Sequence, residues 1–348
     1  MVGVVAGSPF NLWVFCVIKS FLDGCQRSFH APMTLVGVYV ITLALAIPAT
    51  LSLQDTIATH LGSSMAGHQM AEGVSLSWWE EFRASTDGLE RTFTYSIIGF
   101  AAILRNISSF LDRTPPPQIL VPLIICYLTV WSFLIGGIFD RLARGKHIGS
   151  TAFFSACGTH FFRFCRLAII VGTTYWLLLS VVHPWLFETQ YEKWIHDFTV
   201  ERNVFSVRLA LYALFAILLG AVNLIFDYAK IRVVVEDRHS AIGALLAAVR
   251  FLRRNPWPTI GLYLLNVSLY LLILVVYAFA APSVDTPVLL ALIIGQTYIV
   301  VRLFAKLIFY SSQISYFQSQ LAHANYVANP MPVWPESPTA EAIANSKS

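Results

Sequence analysis

Six stretches of roughly twenty apolar residues recur along the chain: Met33–Leu53, Ile119–Phe139, Leu167–Leu186, Leu209–Phe226, Ile260–Ala281 and Val288–Tyr310. At about 1.5 Å of helical rise per residue, each can cross a hydrocarbon layer about 30 Å thick. None alternates with a period of two. The backbone hydrogen bonds that lipid cannot satisfy must then close inside each segment, as a helix and not as a barrel strand. The sequence therefore predicts an all-α integral membrane bundle of six transmembrane helices. Composition agrees, with 57% hydrophobic and 12% charged residues, about half the charged share of an ordinary soluble domain.

The connections differ in charge, and charge sets orientation. Arg141, Arg144, Lys146, Arg163 and Arg166 lie between the second and third spans, against Asp140. Lys230, Arg232, Arg238, Arg250, Arg253 and Arg254 lie between the fourth and fifth, against Asp227, Glu236 and Asp237. The alternate connections are acidic. Asp55–Gln118 holds Asp55, Glu72, Glu80, Glu81, Asp87, Glu90 and Asp112 against Arg83, Arg91, Arg105 and Arg113. Glu188–Arg202 holds Glu188, Glu192, Asp197 and Glu201 against Lys193 and Arg202. Basic loops stay in the cytoplasm, so both termini are expected there, as an even number of spans requires. The same reading places the chain in the cytoplasmic (inner) membrane of a bacterium.

The six-span membrane domain is expected over 33–322, with an outside loop at 54–118. Within that loop, Thr92–Leu111 is long enough to insert but carries Arg105, Asn106 and several hydroxyl residues. A central Arg alone costs about 2.5–3.5 kcal/mol on insertion scales, so the segment reads as an amphipathic helix on the outer surface. Trp78, Trp79 and Phe82 before it suit the headgroup layer. Residues 1–32 read as a cytoplasmic amphipathic elbow helix, because Phe10, Trp13, Val14, Val17, Ile18, Phe21, Leu22 and Cys25 recur at three-and-four spacing. That pattern is not the h-region of a signal peptide, and no cleavage is expected. Residues 323–348, rich in Pro and small polar residues, read as a disordered cytoplasmic tail.

Two further segments match the N-terminal helix. Ser150–Arg166 places Phe153, Phe154, Cys157, Phe161, Phe164 and Cys165 on one face, and Ser240–Arg254 does so with Ile242, Leu245, Leu246, Val249 and Leu252. The preceding spans end alike, in Ile138-Phe139-Asp140 and Ile225-Phe226-Asp227. A parallel internal repeat is therefore expected, at about 119–186 and 209–281. Repeats of this kind are one way in which transport folds are built.

The run Gly136-Gly137-Ile138-Phe139-Asp140-Arg141-Leu142-Ala143-Arg144-Gly145, followed by the aromatic elbow and Phe161-Phe162-Arg163-Phe164, resembles bacterial polytopic membrane proteins of unknown function. More distantly, it is similar to the membrane domain attached to some glycerophosphodiester phosphodiesterases. Asp227-Tyr228-Ala229-Lys230-Ile231-Arg232 through Arg253-Arg254-Asn255-Pro256 fits the same style, so the likeness covers roughly 119 to 281. The chain holds no soluble phosphodiesterase domain, and the resemblance implies an architecture and no reaction.

Searches for chemistry return no paired-His zinc signature, no phosphate-binding loop, no nucleophile elbow and no CxxC pair. No catalytic residue, metal or cofactor is expected, and no nucleic acid partner. Asn266-Val267-Ser268 matches a glycosylation triplet but falls inside a span. The remaining candidates are polar residues in or beside spans. Asp140 and Asp227 end helices whose dipoles disfavour negative charge, so each needs a cation, most simply Arg141, Arg144, Lys230 or Arg232. They serve either as ion pairs fixing span to elbow or as acids lining a cytoplasm-facing pocket. Gln296, Arg302, Lys306, Tyr310 and Gln313 fall on one side of the last helix. Those charges either snorkel to the interface or turn inward to hold an anionic headgroup or solute. The expected partners are membrane lipids, with anionic headgroups at the cytoplasmic elbows. Two functions stay open: a non-catalytic scaffold or accessory component of the envelope or lipid handling, and a transporter or permease subunit for a lipid-like or anionic solute.

Overall fold

The computed structural model describes residues 9–62, 75–93, 99–196, 198–283 and 286–323. Among these residues there are helices and no strands. We number the helices α1 (Pro9–Phe29), α2 (Pro32–Gly62), α3 (Leu76–Ser85), α4 (Gly99–Leu111), α5 (Val121–Arg144), α6 (Ser150–Ile195), α7 (Glu201–Val235), α8 (Ala241–Arg254), α9 (Pro256–Ala280) and α10 (Val288–His323). Six are long and apolar enough to cross a bilayer: α2, α5, α6, α7, α9 and α10. The chain is a multi-pass membrane protein. Apart from His323, the tail expected at 323–348 lies outside the described residues.

The core sits at one end of the bundle. Leu134–Leu142 of α5, Leu224–Val234 of α7 and Leu303–Phe317 of α10 supply most of the buried side chains, and α1 and α8 close around them. From Leu307 to Phe317 every residue of α10 is buried. By contrast, the span windows are mostly unburied, with 6% of the α2 window and 22% of the α7 window inside the protein. Packing therefore concentrates where the amphipathic helices cross the ends of the spans.

Small residues make that layer possible. On α1, Ser20, Gly24 and Ser28 recur every four residues and are all buried, with Gly24 against Ser312 of α10. A Cβ added to Gly24 would lie 2.6 Å from the Ser312 Cα, so the two backbones touch where Gly24 sits. Within α8, Ala241, Ala244 and Ala248 are buried while Ile242 and Leu246 are exposed. On α1 the exposed large apolar side chains among the described residues include Phe15, Ile18, Leu22 and Phe29. Val17, Trp13 and Phe21 of α1 and Leu245, Phe251 and Leu252 of α8 also pack into or against the core, so the small residues set the closest approach while part of each apolar face turns outward. Between lipid-soluble helices hydrophobicity gives no net attraction, so close approach and hydrogen bonds must.

Side chains then cap the helix ends reciprocally. Arg141 of α5 donates to the His30 carbonyl just beyond α1 (2.7 Å). Arg27 of α1 donates back to the Leu142 carbonyl (3.3 Å) and to Gln318 Oε1 of α10 (2.7 Å), and Gln318 donates to the Ala143 carbonyl (2.9 Å). Carbonyls that a helix end leaves without partners are filled from the neighbouring helix. Asp23 pairs with Arg27 (2.9 Å) and accepts from Ser315 (2.5 Å). Gly145, in the left-handed conformation at φ 64°, ends α5.

Several expectations are corrected. Ser150–Arg166 does not stand apart from its span: α6 runs through Arg166 without a break, because no proline follows it. Between α8 and α9 the chain does break, at Asn255 before Pro256. The two expected repeat units are therefore built differently. In α6, Pro184 removes a donor and the helix widens to π turns on either side of it, at Leu178–Val182 and Trp185–Gln190. Trp78, Trp79 and Phe82 are not turned to the surface but buried together against Leu53, Ile57 and Leu61, on an α2 that extends nine residues past Leu53. Of Thr92–Leu111, the described helix begins only at Gly99, and residues 94–98 lie outside the described residues. Thirteen residues span about 20 Å, short of a hydrocarbon core. The end of α4 is tied down: His183 donates to the Leu111 carbonyl (2.7 Å), and Tyr212 donates to Asp112 (2.5 Å). Those bonds, from Tyr212 first and then Ser108, hold the Asp112 carboxyl below the usual range.

Gly24→Ala should destabilise the protein by about 1–3 kcal/mol through overpacking. Gly158→Ala, at a helical position with open space around its Cβ, should be neutral or stabilise by up to about 1 kcal/mol. Unfolding in detergent, followed by circular dichroism, measures both. Equal effects would show that α1 does not approach α10 as closely as described.

Candidate functional site

The candidate acids divide at once. Both are expected at helix ends, but Asp140 lies one turn before the end of α5, whereas α7 continues two turns past Asp227 to Val235, and the residues around them differ. One helical turn after Asp140 comes Arg144, which binds it through Nε at 2.8–2.9 Å. Arg141 is adjacent in sequence, and adjacent helical residues do not face each other. It points to the opposite side, toward α1. Asp140 is thus a pair on the rim, with Arg144 half exposed.

Asp227 is interior. It is 2% exposed and accepts from Lys230 Nζ at 2.8 Å and from Asn223 Nδ2 at 3.4 Å. Asn223 Nδ2 also meets the Tyr263 hydroxyl of α9 at 3.2 Å, so the polar group reaches from α7 to α9. Lys306 approaches from α10. Its Nζ lies 3.6 Å from the centroid of the Trp131 ring of α5, a cation–π contact. Asp227, Lys230 and Arg302 are all within electrostatic reach of Lys306. No carboxylate bonds Lys306 directly among the described residues. Lys230 and Lys306 therefore share one buried acid.

The stripe on α10 does not act as one face. Gln296 accepts from the Tyr39 hydroxyl of α2 at 2.9 Å and lines a cleft of about 310 Å³ between α2 and α10. Arg302 is exposed. Tyr310 and Gln313 are buried, Tyr310 against Phe139 with ring centroids 4.9 Å apart. The Gln313 amide has no hydrogen-bond partner among the described residues. A helix this long meets different neighbours at different heights. Gln296 is thus at a different place from Lys306, and Asp140 from Asp227. What the fold brings together is Asp227, Lys230, Lys306 and Trp131.

That set places one buried carboxylate beside two lysine ammonium groups and an indole ring. Among the described residues no three of His, Cys, Asp and Glu gather as a metal site would. Asn266, from the glycosylation triplet, is fully buried and donates to Ser312 Oγ at 3.0 Å, so it joins α9 to α10. Compared with protein families, with curated proteins and with solved structures, the chain finds no match in any of the three.

Asp227→Asn should cost about 3–5 kcal/mol, because it strands Lys230 and Lys306 without their buried acid. Adding Lys306→Met should recover part of that loss, since the sites are coupled. Asp140→Asn, at a half-exposed pair, should cost about 0–1 kcal/mol. Thermal unfolding of the purified variants measures all three. Equal losses for Asp140→Asn and Asp227→Asn would contradict the division into rim and interior.

Proposed function

We propose that this chain is a non-catalytic scaffold or accessory component of the bacterial inner membrane, acting on the envelope or its lipids, with both termini in the cytoplasm. One observation carries the reading: among the described residues, the largest packed layer is the collar formed by α1, α8 and the ends of α5, α7 and α10. The collar helices turn Ile18, Leu22, Phe29, Ile242 and Leu246 outward, and Lys146, Arg253 and Arg254 lie beside them. Outward apolar side chains beside basic ones are what an interfacial helix presents to acyl chains and anionic headgroups. In this reading α1, the start of α6 and α8 are elbows in the inner leaflet. Their common sequence pattern is an internal repeat, in keeping with the resemblance to bacterial polytopic proteins. A rigid collar beneath loosely packed spans supplies a docking platform more readily than a moving gate.

A second reading, a transporter or permease subunit for an anionic or lipid-like solute, draws on the excess positive charge around Asp227. Ionisable residues inside spans commonly line solute pathways. Proteoliposomes carrying a fluorescent phosphatidylglycerol separate the two. A scaffold leaves the inner-leaflet dye protected from an impermeant quencher, and transbilayer movement above the protein-free rate would favour the second reading.

Orientation has its own test. In a background lacking the five cysteines, Thr189→Cys should react with an impermeant thiol reagent on intact cells. His239→Cys should react only after the membrane is opened. Labelling of position 239 from outside would overturn the assignment.

A further inference from the structure

Arg141 is the one buried guanidinium of the collar whose charge the chain leaves unanswered among the described residues. It is 5% exposed, and one of its N–H groups is used, by the His30 carbonyl. No carboxylate pairs with it: Asp140 is bound by Arg144, and Asp23 by Arg27. The comparable buried Arg232 has Glu236 at 2.6 Å. A buried cation without a counter-ion is costly, so the remaining donors call for an anion.

Arg141 also lines a cleft of about 540 Å³ between the α1–α2 junction and the α5–α6 hairpin. The cleft has two kinds of wall. Around Arg141 stand His30, His147 and Ser150, where α6 begins with no side-chain cap on its first turn. Away from it the lining is apolar, including Val38, Ile41, Leu134 and Phe153. Met33 and Phe154, at 75% and 51% exposure, leave its flank open to the side. Gly37 lines it as well, with no atom near the position of a Cβ.

We propose that this cleft binds an anionic phospholipid, its phosphate on Arg141 and one acyl chain along the apolar wall past Gly37. The shape distinguishes this ligand from a free anion, which would leave the apolar wall without a function. A zwitterionic lipid would bring a cation toward His147 and Lys146. The proposal rests on the reading that the collar lies at the membrane surface. Its test is independent of which surface that is, because binding is measured in detergent.

Native mass spectrometry of the purified full chain, titrated with phosphatidylglycerol, phosphatidylcholine or inorganic phosphate, reads the site. Wild type should retain phosphatidylglycerol in preference to phosphatidylcholine. Arg141→Gln should weaken the anionic lipid about tenfold or more, the worth of a charge-assisted hydrogen bond pair, while Arg83→Gln, at an exposed basic residue of α3 away from the collar, leaves it within about twofold. Since Arg141 also holds α1, Gly37→Leu supplies a second variant that fills the cleft and leaves Arg141 in place. It should weaken phosphatidylglycerol and leave any inorganic phosphate binding unchanged. Equal binding of the two lipids by wild type, or unchanged lipid binding in either cleft variant, would overturn the proposal. So would phosphate displacing the lipid stoichiometrically with Gly37→Leu having no effect, which would make the site one for a free anion. Lipid binding as predicted together with outside labelling of position 239 would keep the site and overturn only the orientation.

Discussion

The close approach of α1 to α10 at Gly24 and Ser312 is the contact on which the rest of the structure depends. In lipid, two helices gain nothing from hiding apolar surface, because lipid tails are as apolar as leucine. They associate by van der Waals contact at short range and by hydrogen bonds. Gly24 lets the two backbones touch at Ser312, a residue that also accepts from Asn266 of α9 at 3.0 Å. The same approach delivers Arg27 to the end of α5 and Asp23 to Ser315. Move α1 outward and the bonds of Arg27 and Asp23 open.

The collar explains why buried charge is tolerated here. Every helix end it covers would otherwise expose carbonyls to a medium of low polarity. Arg27, Arg141 and Gln318 fill those acceptors from neighbouring helices. Arg232 is further wrapped by Phe251 and Phe317, at 5.5 and 4.9 Å from their ring centroids. Charge in this protein is a fastening between helices, and Arg141 is the member of the set left with donors to spare.

The existence of the six spans was legible because a run of twenty apolar residues has few alternatives. Their ends were less so. Hydropathy stops α10 at Tyr310, yet the helix continues to His323, since Ser311–Phe317 are covered by other helices. The packing faces of α1 and α8 were legible only in part. Serine, glycine and alanine carry little hydropathy signal, so the pattern found Val17 and Leu245, which pack, along with Leu22 and Leu246, which face out, and passed over Gly24 and Ala244. Arg141 and Arg144 were both open as partners of Asp140, and helical spacing of four favours Arg144, which binds it. The same rule, applied to Arg141, would have freed it from Asp140 and drawn attention to it. The partition of the α10 stripe was not readable from one helix, because it depends on Tyr39 and Trp131, from two others.

The central claim is that α1 belongs to the core through its small-residue side and meets lipid through its large apolar side. A nitroxide scan of α1 in lipid, with accessibility to oxygen and to a water-soluble nickel chelate read by power saturation, measures this position by position. Spin labels at Ser20 and Ser28 should be immobile and shielded from both reagents, while labels at Ile18 and Leu22 should be mobile and open to oxygen. Equal oxygen access at all four positions would mean that α1 only rests on the membrane, and the account of the collar would fail.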